Sequence, residues 1–251
     1  MKNIHLLSTV ILMFSAISFT SCSDIEPIDP NIIITPTPNP EDPDNPSEPL
    51  LGDYWPAALN NEWVFKQNDV LQPPMKIISV NSIDGKTYYT FNAMSAAGNG
   101  AGATTAVTRL RKSGSNYYLK LDDFVTEAAV AIPGSTTTGS ETILLKDNIA
   151  VGGSWVTSYT QTTTYTATYP PISLDIQVTG TIMEKDISLT VRDETYTDVI
   201  KTKYVQKVTT SSGISETTTY YWFAKGIGPV KTSSESAGAL YNSELVSYTI
   251  N

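Results

Sequence analysis

Apolar and polar residues alternate one by one along several stretches of this 251-residue chain, and a period of two confines those stretches to β-structure. Ile172, Leu174, Ile176 and Val178 alternate with Ser173, Asp175, Gln177 and Thr179. Ile187, Leu189 and Val191 alternate with Ser188, Thr190 and Arg192, and Tyr117, Leu119 and Leu121 with Asn116, Tyr118 and Lys120. One face of each such strand packs on a core while the other meets water. Runs at 62–66, 76–81, 86–92, 104–112, 142–146, 155–169, 199–210, 216–223 and 244–250 are also strand-like, rich in Thr and Tyr. Turn pairs punctuate them: Asp84-Gly85, Ser113-Gly114, Pro133-Gly134, Gly152-Gly153 and Ser212-Gly213. No long helical period occurs, and the connections are too short for crossover helices. The pattern predicts an all-β domain, a single antiparallel, strongly curved sheet or half-barrel of about eleven strands. A closed barrel or a sandwich would carry the same alternation. Asn60-Asn61-Glu62-Trp63-Val64 is echoed by Gly152-Gly153-Ser154-Trp155-Val156, each read as a turn feeding an aromatic into the core.

The N-terminus follows different rules. Lys2 precedes an apolar run from Leu6 to Phe19, and Thr20 and Ser21 are small residues that a signal peptidase accepts. The run is shorter than the roughly 20 residues needed to span a bilayer. Phe19-Thr20-Ser21-Cys22 resembles the lipobox of bacterial lipoproteins, whose first position is usually Leu. The resemblance implies a diacylglyceryl group on the Cys22 thiol, cleavage before Cys22 and acylation of the new amine. It divides the chain into a signal peptide at 1–21, a lipidated Cys22 with a linker to 50, and a β-domain at 51–251. Asp does not directly follow the cysteine. Cys22-Ser23-Asp24-Ile25-Glu26 is similar to the acidic export tag of certain Gram-negative surface lipoproteins, which implies an outer-membrane address facing outward.

Residues 23–50 hold eight of the fifteen prolines and seven acids without a base. Proline fixes φ, the acids repel one another, and little apolar surface is available to offset ordering. This linker reads as an extended stalk of at most roughly 85 Å, interrupted by Ile32-Ile33-Ile34. Residues 51–251 carry fifteen bases and eighteen acids, so the acidity belongs mostly to the tail. A near-neutral domain offers nucleic acid no basic footprint and anionic lipid no polybasic patch. The expected partner is the membrane, through the lipid.

A second resemblance rests on Tyr54-Trp55-Pro56, Asn60-Asn61-Glu62-Trp63-Val64-Phe65, Asp198-Val199-Ile200-Lys201 and Tyr221-Trp222-Phe223-Ala224-Lys225-Gly226-Ile227-Gly228-Pro229-Val230-Lys231. These resemble signatures of a widespread group of Gram-negative lipoprotein domains, some similar to the curved half-barrels of lipoprotein carriers. The resemblance implies a fold more than an activity. Asn60 stands where that group has Gly, and Asn tolerates left-handed geometry best after Gly.

The sole His, His5, lies in the signal segment, and the sole Cys is Cys22. A mature chain lacking both builds neither a Ser-His-Asp nor a Cys-His site, nor a Cys/His zinc site. Asp122-Asp123, Asp193-Glu194 and Glu184 with Asp186 are the carboxylate pairs left for acid–base work, and each reads as solvated surface. Glu41, Asp42 and Asp44 lack EF-hand spacing. Gly98–Gly102 reads as a hairpin tip, because no Lys-Ser/Thr and helix follow. The expectation is therefore a non-catalytic protein with no cofactor and no metal. Its ligand would be apolar or amphipathic, held in the curved sheet, or else a glycan. Trp63, Trp155 and Trp222 read as core, and Tyr204 and Tyr220 as ligand-binding candidates.

Overall fold

The structure is a computed structural model that describes residues 52–92, 94–96, 104–128, 133–210, 213–236 and 239–251. The signal segment, Cys22, the stalk and Gly98–Gly102 lie outside the described residues. The fold is all-β. The first half holds β1 (Glu62–Gln67), β2 (Val70–Leu71), β3 (Met75–Ile83), β4 (Lys86–Phe91), β5 (Met94–Ala96), β6 (Thr104–Ala106), β7 (Thr108–Ser113), β8 (Asn116–Leu121), β9 (Phe124–Thr126), β10 (Ser135–Thr137) and β11 (Ser140–Lys146). The second half is a meander of longer strands: β12 (Ser154–Tyr165), β13 (Ile172–Val191), β14 (Glu194–Thr210), β15 (Gly213–Ala224), β16 (Gly228–Ser236) and β17 (Ala239–Thr249).

Hydrogen-bonded ladders join all seventeen described strands into one antiparallel sheet. Its path runs β11–β8–β7–β4–β3–β1–β17–β16–β15–β14–β13–β12, with β10, β9, β6 and β5 continuing from the far end of β12. Seventeen exceeds the expected eleven or so, because β2, β5, β9, β10 and β16 lie outside the runs marked by the sequence and the 104–112 run splits into β6 and β7. Val107 separates β6 from β7, Asp122-Asp123 separates β8 from β9, and Thr138-Gly139 separates β10 from β11. The opposite error occurs at 172–191. Two expected strands fuse there into one of twenty residues, bent by register shifts between Ile182 and Leu189.

The sheet curves around one core but does not close into a barrel. β10 ladders on β12, with Thr137 opposite Thr163; beyond Thr138-Gly139 the chain leaves β12, and β11 ladders on β8. Only glycine fits this departure, since a Cβ on Gly139 would stand 2.1 Å from the Leu121 carbonyl oxygen. Side chains bridge the gap where a ladder would be. The Trp155 indole donates to the Ile143 carbonyl at 2.8 Å and the Tyr204 hydroxyl to the same oxygen at 3.0 Å.

Both halves feed the same core. Trp63, Ile77, Phe91, Leu110, Tyr117 and Leu145 meet Trp155, Ile176, Ile182, Ile200, Phe223 and Leu245. The echo seen in the sequence is structural. The Asn60 N–H donates to Ile77 and the Ile77 N–H to Asn61, both at 2.9 Å. The Gly152 N–H donates to Ile182 at 2.8 Å and the Ile182 N–H to Gly153 at 3.0 Å. Asn61 bonds back to Ala58 as Gly153 does to Ala150. Asn60 takes φ 69° and Gly152 φ 84°, the left-handed geometry expected of both turns. Each turn delivers a buried tryptophan, Trp63 or Trp155, and is followed by a six-strand ladder: β1–β3–β4–β7–β8–β11, then β12–β13–β14–β15–β16–β17.

Candidate functional site

Tyr204 and Tyr220 do not share a face. Along β14 the inward positions are Ile200, Thr202, Tyr204 and Val208, all buried. Tyr204 is 8% exposed, its hydroxyl is spent on the β11 edge, and burial raises its pKa. It is a core residue, closing the gap beside Trp155. The signal was present in the sequence, because Lys201 and Lys203 mark the wet face of that strand and Tyr204 has the opposite parity. Tyr220 pairs with Lys203 and lies on the wet face.

Trp222 joins it there. Trp222 stands two residues beyond Tyr220 on β15, opposite Lys201, while Tyr221 and Phe223 face the core. It packs against the core as Trp63 and Trp155 do, but is only partly buried. Its ring centroid lies 6.2 Å from that of Tyr220, with the planes tilted by 40°. The Lys201 ammonium sits 5.5 Å from the Trp222 ring and 5.8 Å from the Tyr220 ring, and Lys231 sits 6.0 Å from Trp222 on the other side. Two tilted, partly buried rings flanked by two cations form an aromatic platform on the wet face.

Register extends the platform across the sheet. Glu184, Lys201, Trp222, Lys231, Glu244 and Lys66 are successive cross-strand partners on β13, β14, β15, β16, β17 and β1. Glu184 accepts from Lys201 at 2.7 Å and Glu244 from Lys231 at 2.8 Å. At the Lys66 end lies a polar cleft of about 340 Å³, lined by Lys66, Asn68, Asp69, Arg192, Asn242 and Glu244. Arg192 arrives from the tip of the β13–β14 hairpin, whose two strands both bend in left-handed geometry, at Asp186 (φ 55°) and Asp198 (φ 51°). These cleft residues come from three separate segments, and no local pattern announced them.

Of the carboxylates in the three pairs named in the sequence, Asp122, Asp123, Glu184 and Glu194 have side-chain partners. Asp122 accepts from Arg109 at 2.7 Å and from Lys120; these bonds outweigh its desolvation and hold its pKa below the usual range. Asp123 accepts from the Gly139 N–H at 2.8 Å, and Glu194 from the Tyr196 hydroxyl at 3.0 Å. Among the described residues no group of three Asp, Glu, His or Cys side chains converges as a metal cage.

No protein family and no curated protein matches the chain by sequence. Among solved structures, a protein described as a lipoprotein from Parabacteroides distasonis ATCC 8503 is similar at TM-score 0.50 and 13% identity, over 79% of this chain and 99% of that one. An exported protein with a YmcC-like fold from Bacteroides fragilis NCTC 9343 aligns over the same shares at TM-score 0.41 and 11% identity. At 13% identity, what the chain has in common with the Parabacteroides protein is its fold.

Proposed function

We propose that this chain is a lipid-anchored, non-catalytic outer-membrane protein whose β-domain binds glycan at the cell surface, on the outward face of β14–β17. The Tyr220–Trp222 platform carries the reading. Partly exposed rings beside ammonium donors suit the apolar faces and hydroxyl edges of sugars. The alternative, an apolar ligand inside the curved sheet, has less support. Twelve large side chains from both halves fill that concave side at under 2% exposure. The anchor rests on the lipobox ending at Cys22, and the structural neighbour of like fold is itself described as a lipoprotein.

A glycan array probed with the purified full chain tests the function. Trp222→Ala should lower binding at least tenfold while the domain stays folded by circular dichroism at the assay temperature. An array without binders would remove the reading. Radiolabelled palmitate should enter the wild type and not Cys22→Ala, which should leave the envelope pellet.

A further inference from the structure

The cleft beyond the platform has its own chemistry. Glu244 is neutralised by Lys231. Asn68 and Asn242 clasp each other, the Asn68 N–H donating to the Asn242 carbonyl and the Asn242 N–H to Asn68 Oδ1, both at 2.9 Å. That clasp fixes the floor and spends backbone groups while leaving the Asn68 amide NH₂ free to donate. The side chains of Lys66, Arg192 and Asp69 have no hydrogen-bond or ion-pair partner among the described residues. The cleft thus offers two unspent cations against one unspent carboxylate, from β1, the β13–β14 tip and the β1–β2 turn.

We infer that this cleft takes the carboxylate-bearing sugar at one end of an acidic glycan. The inference rests on the glycan reading and names the sugar class. A guanidinium presents a planar fork that matches a carboxylate bidentately, and an ammonium beside it adds a second charge-assisted donor. Asp69 can only accept, and sugar hydroxyls supply donors to it. The volume is at the small end of the range for ligand pockets, so it suits a terminal residue rather than a long segment. Lys231 joins cleft to platform, holding Glu244 on one side and the Trp222 ring on the other. Trp222 and Glu244 are two strand spacings apart, about 10 Å, so neighbouring sugars would run from the cleft onto the rings.

Calorimetric titration of the full chain with sodium glucuronate, glucose and inorganic phosphate tests this. Glucuronate should bind at least tenfold more tightly than glucose or phosphate, and more weakly as salt rises. Arg192→Asn should cost tenfold or more, and Asn suits the left-handed backbone there, so the hairpin should stay intact. Lys66→Gln, on a different element, should cost a similar factor. Equal affinity for glucuronate and glucose, equal affinity for phosphate, or unchanged binding in both variants would overturn the assignment. If the array still finds neutral glycans that depend on Trp222, the cleft assignment alone falls and the platform stands.

Discussion

Asp147 and Asp122 are carboxylates in one β-domain with opposite pH behaviour. Asp147 is 1% exposed; burial raises its pKa, and hydrogen bonds from Ser115 and Tyr117 offset that only in part. The folded state therefore favours the protonated form. Its contribution to stability is largest below the unfolded pKa and declines as pH rises through the folded one. Asp147→Asn should flatten that decline and leave the pH 7 melting midpoint unchanged or higher, as read by thermal denaturation from pH 3 to 7. Asp122 runs the other way. Its lowered pKa contributes stability above the unfolded value that is lost as pH falls through the folded one, and partial exposure limits it to about 0.2–1 kcal/mol. Asp122→Asn should cost about that much at pH 7 and progressively less as the pH falls below the ordinary carboxylate range. Tyr204 and Tyr220 also show what a single residue conveys in sequence. Strand parity, set by Lys201 and Lys203, separates their faces, whereas residue type alone groups them.

The long alternating strands were legible as elements because each keeps one wet face along its length. The break at 138–139 was not. Nothing in Thr138-Gly139 says that the chain changes neighbours there; only the approach of Leu121 does, and that contact is distant in sequence. Gly139→Ala should lower stability by about 1–3 kcal/mol in a urea titration, the usual cost of forcing a crowded backbone apart. The bends at Asp186 and Asp198 were hidden for a related reason. The alternation of 187–191 reads as a fresh strand, although the ladder carries β13 on without a turn. Since those bends bring Arg192 to β1 and β17, the cleft was illegible wherever the hairpin was.

Across the whole molecule, two turns with the same hydrogen bonds each start a six-strand ladder, and the ladders meet at two seams. At one, β1 and β17 pair in backbone register from Glu62 opposite Thr249 to Gln67 opposite Ser243. At the other, β11 and β12 are held by the Trp155 and Tyr204 side chains. Loss of a buried tryptophan should cost about 3–5 kcal/mol at either seam. Trp155→Ala should in addition raise hydrogen exchange in β11 and β12 above that in β1 and β17, because no ladder remains to hold that seam.

The pairing of first strand with last also decides how the domain would bear load. Any pull on the chain ahead of Gly52 reaches β1 through Tyr54 and Trp55, both embedded in the core, and β1 is flanked by β17 on one side and β3 on the other. Drag from flow would have to shear two ladders lengthwise rather than peel one free from its end, so a mooring line tied at this point meets the molecule where it is hardest to unravel.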